Sequence, residues 1–300
     1  MPIERQVGAF MIQAPAKVNL FLEVLAKRPD GYHNIETLMV AVNLFDTLKF
    51  REDSSGDIRL TCNRRELSTG PDNLVVRAAS LLKRRTGCQK GACIRLTKRI
   101  PLAAGLAGGS SDAAATLIGL NRLWKLNRTR KQLMSLAMEL GSDVAFFFST
   151  PAAWCTGRGE RVTPLRLGKP LWFVLAASPT GLSTARVYGK VRVPESPQGG
   201  EAIRRAFRAG DVFAIGRLLH NRLQAVAQRL CPAIGAISQR LVDLKPAGVL
   251  MSGSGPSVYA LCHNQGEAVR IARRLRRGLK VEAGVFVVRS ISQQPAVSSQ

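Results

Sequence analysis

The chain has 300 residues, 46% hydrophobic and 21% charged, a globular balance that excludes whole-chain disorder and leaves room for two domains. Forty-four Lys+Arg against twenty Asp+Glu give a formal charge of +24. The excess runs through the whole chain, +7, +7 and +10 over successive hundreds, tilted toward the C-terminal third, which excludes a basic tail and describes a surface that draws anions: nucleic acid, anionic membrane or small phosphorylated substrates.

Met1-Pro2-Ile3-Glu4-Arg5 lacks the apolar core and cleavage site of a secretory signal. The longest apolar stretches, 171–177 and 144–148, fall far short of the ~18 residues of a membrane span. The expectation is a soluble, cytoplasmic protein. Six cysteines without a Cys-x-x-Cys pair, and three scattered histidines, argue for reduced, packed thiols and against structural zinc. The first strand is read over 18–26, ending at the turn signal Arg28-Pro29-Asp30-Gly31. Further strands are expected over 35–50, 57–62 and 93–100. Asp72 is expected to cap a helix reaching Arg85, with Leu74, Ala78, Leu81 and Leu82 inward. A helix follows the small-residue run 101–111 as far as about Leu126, and Thr129 caps another that ends at Gly141. Residues 194–200 have the composition of a linker. Beyond them the pattern predicts helices over 201–209, 211–229 and 232–244, then strand, glycine-rich loop and strand over 248–260. A helix over 266–277, a strand over 281–289 and a frayed tail from Ser290 complete the chain. Strands and helices alternate without a regular repeat, which favours α+β in two lobes over a barrel or doubly wound sheet.

Four stretches carry chemistry. Pro101-Leu102-Ala103-Ala104-Gly105-Leu106-Ala107-Gly108-Gly109-Ser110-Ser111-Asp112 lets a backbone wrap closely around a ligand, and the helix after it starts with unpaired N–H groups. Together these suit phosphate. The run contains neither Gly-Lys-Ser/Thr nor Gly-x-Gly-x-x-Gly, and its composition fits a tight strand–helix turn with a serine N-cap equally well. Ser252-Gly253-Ser254-Gly255-Pro256-Ser257 is a second such loop; alone it reads as a hairpin connection, and beside the first it supports phosphate handling. Ala14-Pro15-Ala16-Lys17-Val18-Asn19-Leu20 sets a lysine and an asparagine at the mouth of an apolar strand. Gly141-Ser142-Asp143-Val144-Ala145-Phe146-Phe147-Phe148 sets an acid against an apolar run. Singly, Lys17 reads as a surface residue and Asp143 as a cap; together they form a candidate catalytic pair.

Three of these motifs, 15–20, 101–112 and 252–257, resemble those of the GHMP kinase superfamily in kind and order. Arg28-Pro29-Asp30-Gly31-Tyr32-His33, Asn73-Leu74-Val75-Val76-Arg77-Ala78 and Gly141-Ser142-Asp143-Val144 narrow the likeness. They resemble the branch that phosphorylates the 2-hydroxyl of 4-diphosphocytidyl-2-C-methyl-D-erythritol on the non-mevalonate isoprenoid route. The resemblance spans about residues 14–288. It implies a two-lobed α+β fold: residues 1–161 like the second domain of ribosomal protein S5, 162–290 ferredoxin-like, and 291–300 a flexible tail. It implies ATP, accompanied by Mg²⁺, and small-molecule partners, with no obligatory nucleic acid and no membrane. Lys17 and Asp143 are then the catalytic pair. Pro101, Leu102, Ala103, Ala104, Gly105, Leu106, Ala107, Gly108, Gly109, Ser110 and Ser111 wrap the ATP phosphates, with Ser110 or Ser111 near the metal. Tyr32 and His33 hold the cytosine, Tyr188 closes over its other face, and Asn19 lies near the reacting hydroxyl.

The chain departs from that pattern in three places. Alanine stands at 103, 104 and 107 where the family has more glycine, Asp143 precedes Val-Ala where Val-Pro is common, and Arg222 follows Asn221 where an acid is usual. Other classes remain in view. A homoserine or mevalonate kinase would share both loops without reason to carry Gly31-Tyr32-His33. A nucleic-acid-binding protein would account for +24. In the 266–277 helix, however, Ala268, Ile271, Ala272 and Leu275 share one face, leaving Arg270, Arg273, Arg274, Arg276 and Arg277 as a solvated face without interleaved aromatics. An inactive scaffold relative is disfavoured by the presence of Lys17 and Asp143.

Overall fold

The computed structural model describes residues 1–6, 9–149, 151–178, 180–278 and 284–291. They form two compact units, one of Met1–Ala16, Leu44–Ile100 and Ala107–Phe148, the other of Lys17–Asn43, Pro101–Leu106 and the chain from Ser149 onward. In the first, β1 (Ile3–Gln6) pairs antiparallel with the start of β2 (Ala9–Lys27). Phe10, Ile12 and Ala14 alternate inward there, so the strand begins well before residue 18, passing through Pro15. The end of β3 (His33–Asp53) pairs antiparallel with β5 (Gly91–Thr97), and β5 pairs parallel with β4 (Ile58–Cys62). Because β2 and β3 each carry the chain from one unit into the other, the units interleave along the sequence, where the sequence reading places a single cut at 161.

Three helices complete this unit: α1 (Leu74–Thr86), α2 (Gly108–Leu123) and α3 (Arg130–Leu140). The cap of α1 is Asn73 rather than Asp72: its Oδ1 accepts from Val75 N–H at 2.9 Å while its Nδ2 donates to the Ser68 carbonyl at 2.6 Å. Asp72 instead accepts from the Ser68 hydroxyl. Thr129 and Gln132 form a reciprocal capping box on α3, as expected. Helix α2 packs tightly because Gly119 faces the Phe50 ring, where a Cβ would sit 2.6 Å away. After α3 comes a buried 3₁₀ turn, Ala145–Phe148.

In the second unit, β6 (Ala152–Thr156) pairs with the start of β3 and with β7 (Arg161–Pro164). The chain continues through β8 (Trp172–Ala177), α4 (Thr184–Tyr188), α5 (Glu201–Ala209) and α6 (Val212–Leu218). Then follow β9 (His220–Asn221), α7 (Gln224–Leu230), α8 (Pro232–Val242), β10 (Gly248–Met251), β11 (Val258–Cys262), α9 (Gln265–Gly278) and β12 (Gly284–Arg289). An antiparallel sheet in the order β10-β11-β8-β12 contributes Val174, Ala176, Met251 and Val258 to a core shared with Ile234, Ile237 and Leu241 of α8. From α9 the core takes Ala268, Ile271, Ala272 and Leu275, while Arg270, Arg273, Arg274, Arg276 and Arg277 are exposed. The helix expected over 211–229 is broken, because His220 and Asn221 pair with Phe21 and Leu22 of β2; tertiary pairing overrides helical periodicity there. The expected tail also starts later. Ser290 is buried, with its N–H on Leu171 O and its hydroxyl accepting from Leu171 N–H, and Ile291 N–H reaches Ala41 O. The rest of the tail, 292–300, and the first three residues of the strand expected over 281–289 lie outside the described residues.

Candidate active site

Lys17 is only 3% exposed. Its Nζ donates to Asn19 Oδ1 at 2.6 Å and to the Gly105 carbonyl at 2.9 Å. Asn19 in turn donates through Nδ2 to Thr37 Oγ1 at 2.8 Å, and Thr37 donates to the Phe21 carbonyl at 2.6 Å. The asparagine therefore has one orientation, oxygen toward the lysine. Ser252 donates to the same Gly105 carbonyl at 3.0 Å, and Tyr259 donates its hydroxyl to the Asn19 carbonyl at 2.9 Å. Two glycines let these chains meet. A Cβ on Gly105 (φ +73°) would fall 2.2 Å from the Ser252 carbonyl, and one on Gly253 (φ +56°) would fall 3.0 Å from Lys17 Nζ. The two glycine-rich loops are thus one construction around a buried ammonium. Sequence reasoning placed Lys17, Asn19 and both loops separately; it missed Thr37, whose role has no signal in its neighbours.

The backbone also decides what the alanines do. Ala103 and Ala107 have φ of 48° and 54°, the left-handed region that costs an L-residue about 1 kcal/mol or more; Ala104 does not. Two of the three alanines therefore sit where glycine would be unstrained. Ala107 is the N-cap of α2 and makes no side-chain cap, so the serine-cap reading of the run fails. The N–H groups at the start of α2 are left to the backbone geometry of the loop. Within the same unit, Ser111 is fully buried and its Oγ has no hydrogen-bond partner among the described residues.

Asp143 lies on the turn after α3, half-buried, at the edge of the buried residues 144–148. The Val-Ala sequence after it enters the 3₁₀ turn, with Phe147 N–H on the Val144 carbonyl at 3.3 Å. It belongs to the first unit and Lys17 to the second. Of the residues expected at the base, His33 and Tyr188 come together, ring centroids 5.5 Å apart and tilted by 34°. Burial, helped by the Lys27 charge, lowers the His33 pKa, favouring the neutral ring. Tyr32 is 51% exposed and carries the Arg158 guanidinium 4.8 Å above its ring.

Residues 73–150 match the GHMP kinases N terminal domain, and 203–281 match the GHMP kinases C terminal model. The 4-diphosphocytidyl-2-C-methyl-D-erythritol kinase of Exiguobacterium sibiricum is 44% identical over 285 residues, covering 94% of this chain and 98% of that protein. That of Shouchella clausii is 43% identical over 268 residues, 89% of this chain and 90% of its own. The chain belongs to the 4-diphosphocytidyl-2-C-methyl-D-erythritol kinase family of GHMP kinases. A solved 4-(cytidine 5'-diphospho)-2C-methyl-D-erythritol kinase superposes with a TM-score of 0.77 at 37% identity, covering 93% of this chain and 98% of that one. The homoserine kinase of Cytophaga hutchinsonii, with a TM-score of 0.74, 20% identity and 97% of each chain covered, shares the fold.

In this kinase the arginine at 222 has a partner. The Glu23 carboxylate, fully buried in β2, receives the guanidinium through two 2.7 Å bonds, from Nε and a terminal nitrogen. Gln198 N–H, Val24 N–H and His220 Nε2 complete its shell. Burial pushes this carboxyl up, but Arg222 and the two backbone N–H groups outweigh it and hold the pKa at about 2. Neighbouring Asn221, also missed by sequence reasoning, donates its amide to the carbonyls of Met251 and Gly253 at 2.8 Å each, clamping the second loop. A carboxyl lowered on folding adds stability above its unfolded pKa near 4.5, and that contribution disappears as pH falls through about 2. Arg222→Met should therefore flatten the pH dependence of unfolding free energy between those values. Urea titrations followed by circular dichroism at several acidic pH values measure this; parallel wild-type and variant slopes would contradict the assignment.

Proposed function

We propose that this chain transfers the γ-phosphoryl group of ATP to the 2-hydroxyl of 4-diphosphocytidyl-2-C-methyl-D-erythritol. The observation that carries the reading is the buried Lys17 ammonium, held between Asn19 and the Gly105 carbonyl in a chain 44% identical to a kinase named for that substrate. In this reading Asp143 accepts the proton of the tertiary 2-hydroxyl as its oxygen attacks the γ-phosphorus and the bond to ADP breaks. Lys17 offsets charge that develops on the phosphoryl group, and the N–H groups at the start of α2 hold the phosphates, since phosphoryl transfer is mostly positioning and electrostatics. Mg²⁺ would accompany ATP. A buried hydroxyl without a partner, Ser111 Oγ, fits a hard cation's demand for oxygen, and no His/Cys/Asp/Glu cluster for a metal occurs among the described residues. When bound, the ion supplies neutralisation of phosphate charge.

His33, Tyr188 and the more exposed Tyr32 are proposed to receive the cytosine, and the basic surface to steer two anionic substrates. A soluble enzyme of the cytoplasm without nucleic-acid partners fits that chemistry, and residue 161, proposed as the boundary between lobes, falls between the stretches 73–150 and 203–281 that the family models match. Base–aromatic stacking is worth about 1–3 kcal/mol, so Tyr188→Ala should weaken CDP binding by roughly tenfold or more. The dissociation constant of a non-hydrolysable ATP analogue should barely move. Equal losses for both ligands, or none for CDP, would remove Tyr188 from the base site. The function itself is tested by ADP release with three acceptors: the cytidyl substrate should support turnover, and homoserine and mevalonate should not. Turnover with either of those, and none with the cytidyl compound, would overturn the reading.

A further inference from the structure

Beneath the start of α2 lies an ionic cluster that the chemistry above does not use. Lys98 is bonded to Asp46 Oδ2 and, at 2.7 Å, to Asp112 Oδ2, and the three side chains are at most 3% exposed. Each acid holds a different end of the glycine-rich run. Asp46 Oδ1 accepts from the N–H groups of Arg99 and Ile100, at 2.6 and 2.9 Å, immediately before Pro101. Asp112 is in the first turns of α2, where the run ends. Gly108 lies directly over the lysine: a Cβ there would meet Lys98 Nζ at 3.0 Å and Asp46 Oδ2 at 3.3 Å. Even an alanine at 108 would require the ion pair or Ile100 to give by a few tenths of an ångström.

Two buried carboxylates are an unlikely foundation for an anion site, because negative charge near a helix N-terminus cancels the field that attracts phosphate. Burial pushes the Asp112 carboxyl up, and the Lys98 ammonium pulls it back down. We propose that Lys98 is a positioning residue for nucleotide binding: it ties the entry and exit of the phosphate loop together and balances the two carboxylates that fix them. This rests on the reading of 101–111 as the ATP loop. It makes a distinction that packing alone does not, because ATP affinity should follow the net charge of the cluster rather than the integrity of each contact. With both carboxylates ionised, the form that the Lys98 ammonium between them favours, the cluster carries −1 as it stands, −2 in Lys98→Met, 0 in Asp112→Asn, and −1 again in the double variant. Asparagine at 112 keeps an oxygen for Lys98 to bond.

The experiment is calorimetric binding of a non-hydrolysable ATP analogue and of CDP to the full chain and these three variants, with folding checked by circular dichroism. Lys98→Met should weaken the analogue about tenfold or more, the scale of one uncompensated charge at short range. Asp112→Asn should bind it as tightly as wild type or tighter, and the double variant should return toward wild type. CDP should bind all four alike. A double variant as weak as Lys98→Met, or an Asp112→Asn variant weaker than wild type, would overturn the proposal and leave the cluster purely structural. If Lys98→Met does not fold, Asp112→Asn alone decides on the same criterion. Wild-type protein that binds CDP but not the analogue would reject the nucleotide-loop reading itself. Wild-type binding with an indifferent Lys98→Met would reject only the role of the lysine.

Discussion

Asp143→Asn is expected to lower kcat by about 10²- to 10⁴-fold, the range of a general base, with the ATP-analogue dissociation constant nearly unchanged. The amide is isosteric, so the 3₁₀ turn and the buried phenylalanines after it should keep their packing; what is lost is the capacity to take a proton. A tertiary hydroxyl is a poor nucleophile until that proton is removed, which makes the loss a loss of turnover rather than of binding. Single-turnover rates together with equilibrium binding separate the two. A variant with wild-type kcat would exclude Asp143 as the base.

Lys17→Met should be nearly as severe, lowering kcat and kcat/KM together by about 10²-fold or more, the signature of an interaction made in the transition state. The structure adds a second consequence. Asn19 Oδ1 and the Gly105 carbonyl both accept from Lys17, and methionine leaves Asn19 Oδ1 short of its strongest donor in a buried setting, so melting temperature should fall as well. Lys17→Arg keeps the charge but not the compact head, and it should recover stability more than turnover. If only the KM for ATP rises, Lys17 binds nucleotide and takes no part in the transfer.

The parts legible in the sequence are those with local causes. The capping box at Thr129, the glycine-rich runs, the strand pair around 248–260 and the amphipathic face of α9 each carry their signal within a few residues. What was misread depends on partners far along the chain. The 211–229 segment keeps helical periodicity yet opens at His220 and Asn221 because β2 offers an edge to pair with. Asn73 outcompetes Asp72 as a cap because Ser68 occupies one and orients the other. Lys98 has no signal in its neighbours, and only the fold reveals Asp46, 52 residues away, as its partner. Arg222 was visible as a departure, but its meaning lies in Glu23, 199 residues earlier. The alanines at 103 and 107 show the same limit: composition names them, and only backbone angles say which of them are strained.

The most direct test of the central claim is the identity of the product. The purified chain is incubated with ATP, Mg²⁺ and 4-diphosphocytidyl-2-C-methyl-D-erythritol, and the mixture is followed by ³¹P NMR. The account predicts one new phosphomonoester resonance, coupled to no carbon-bound proton because its oxygen sits on a tertiary carbon. It should grow in step with ADP while the cytidyl diphosphate stays intact. ADP without that resonance, or a phosphomonoester on another hydroxyl, would contradict it.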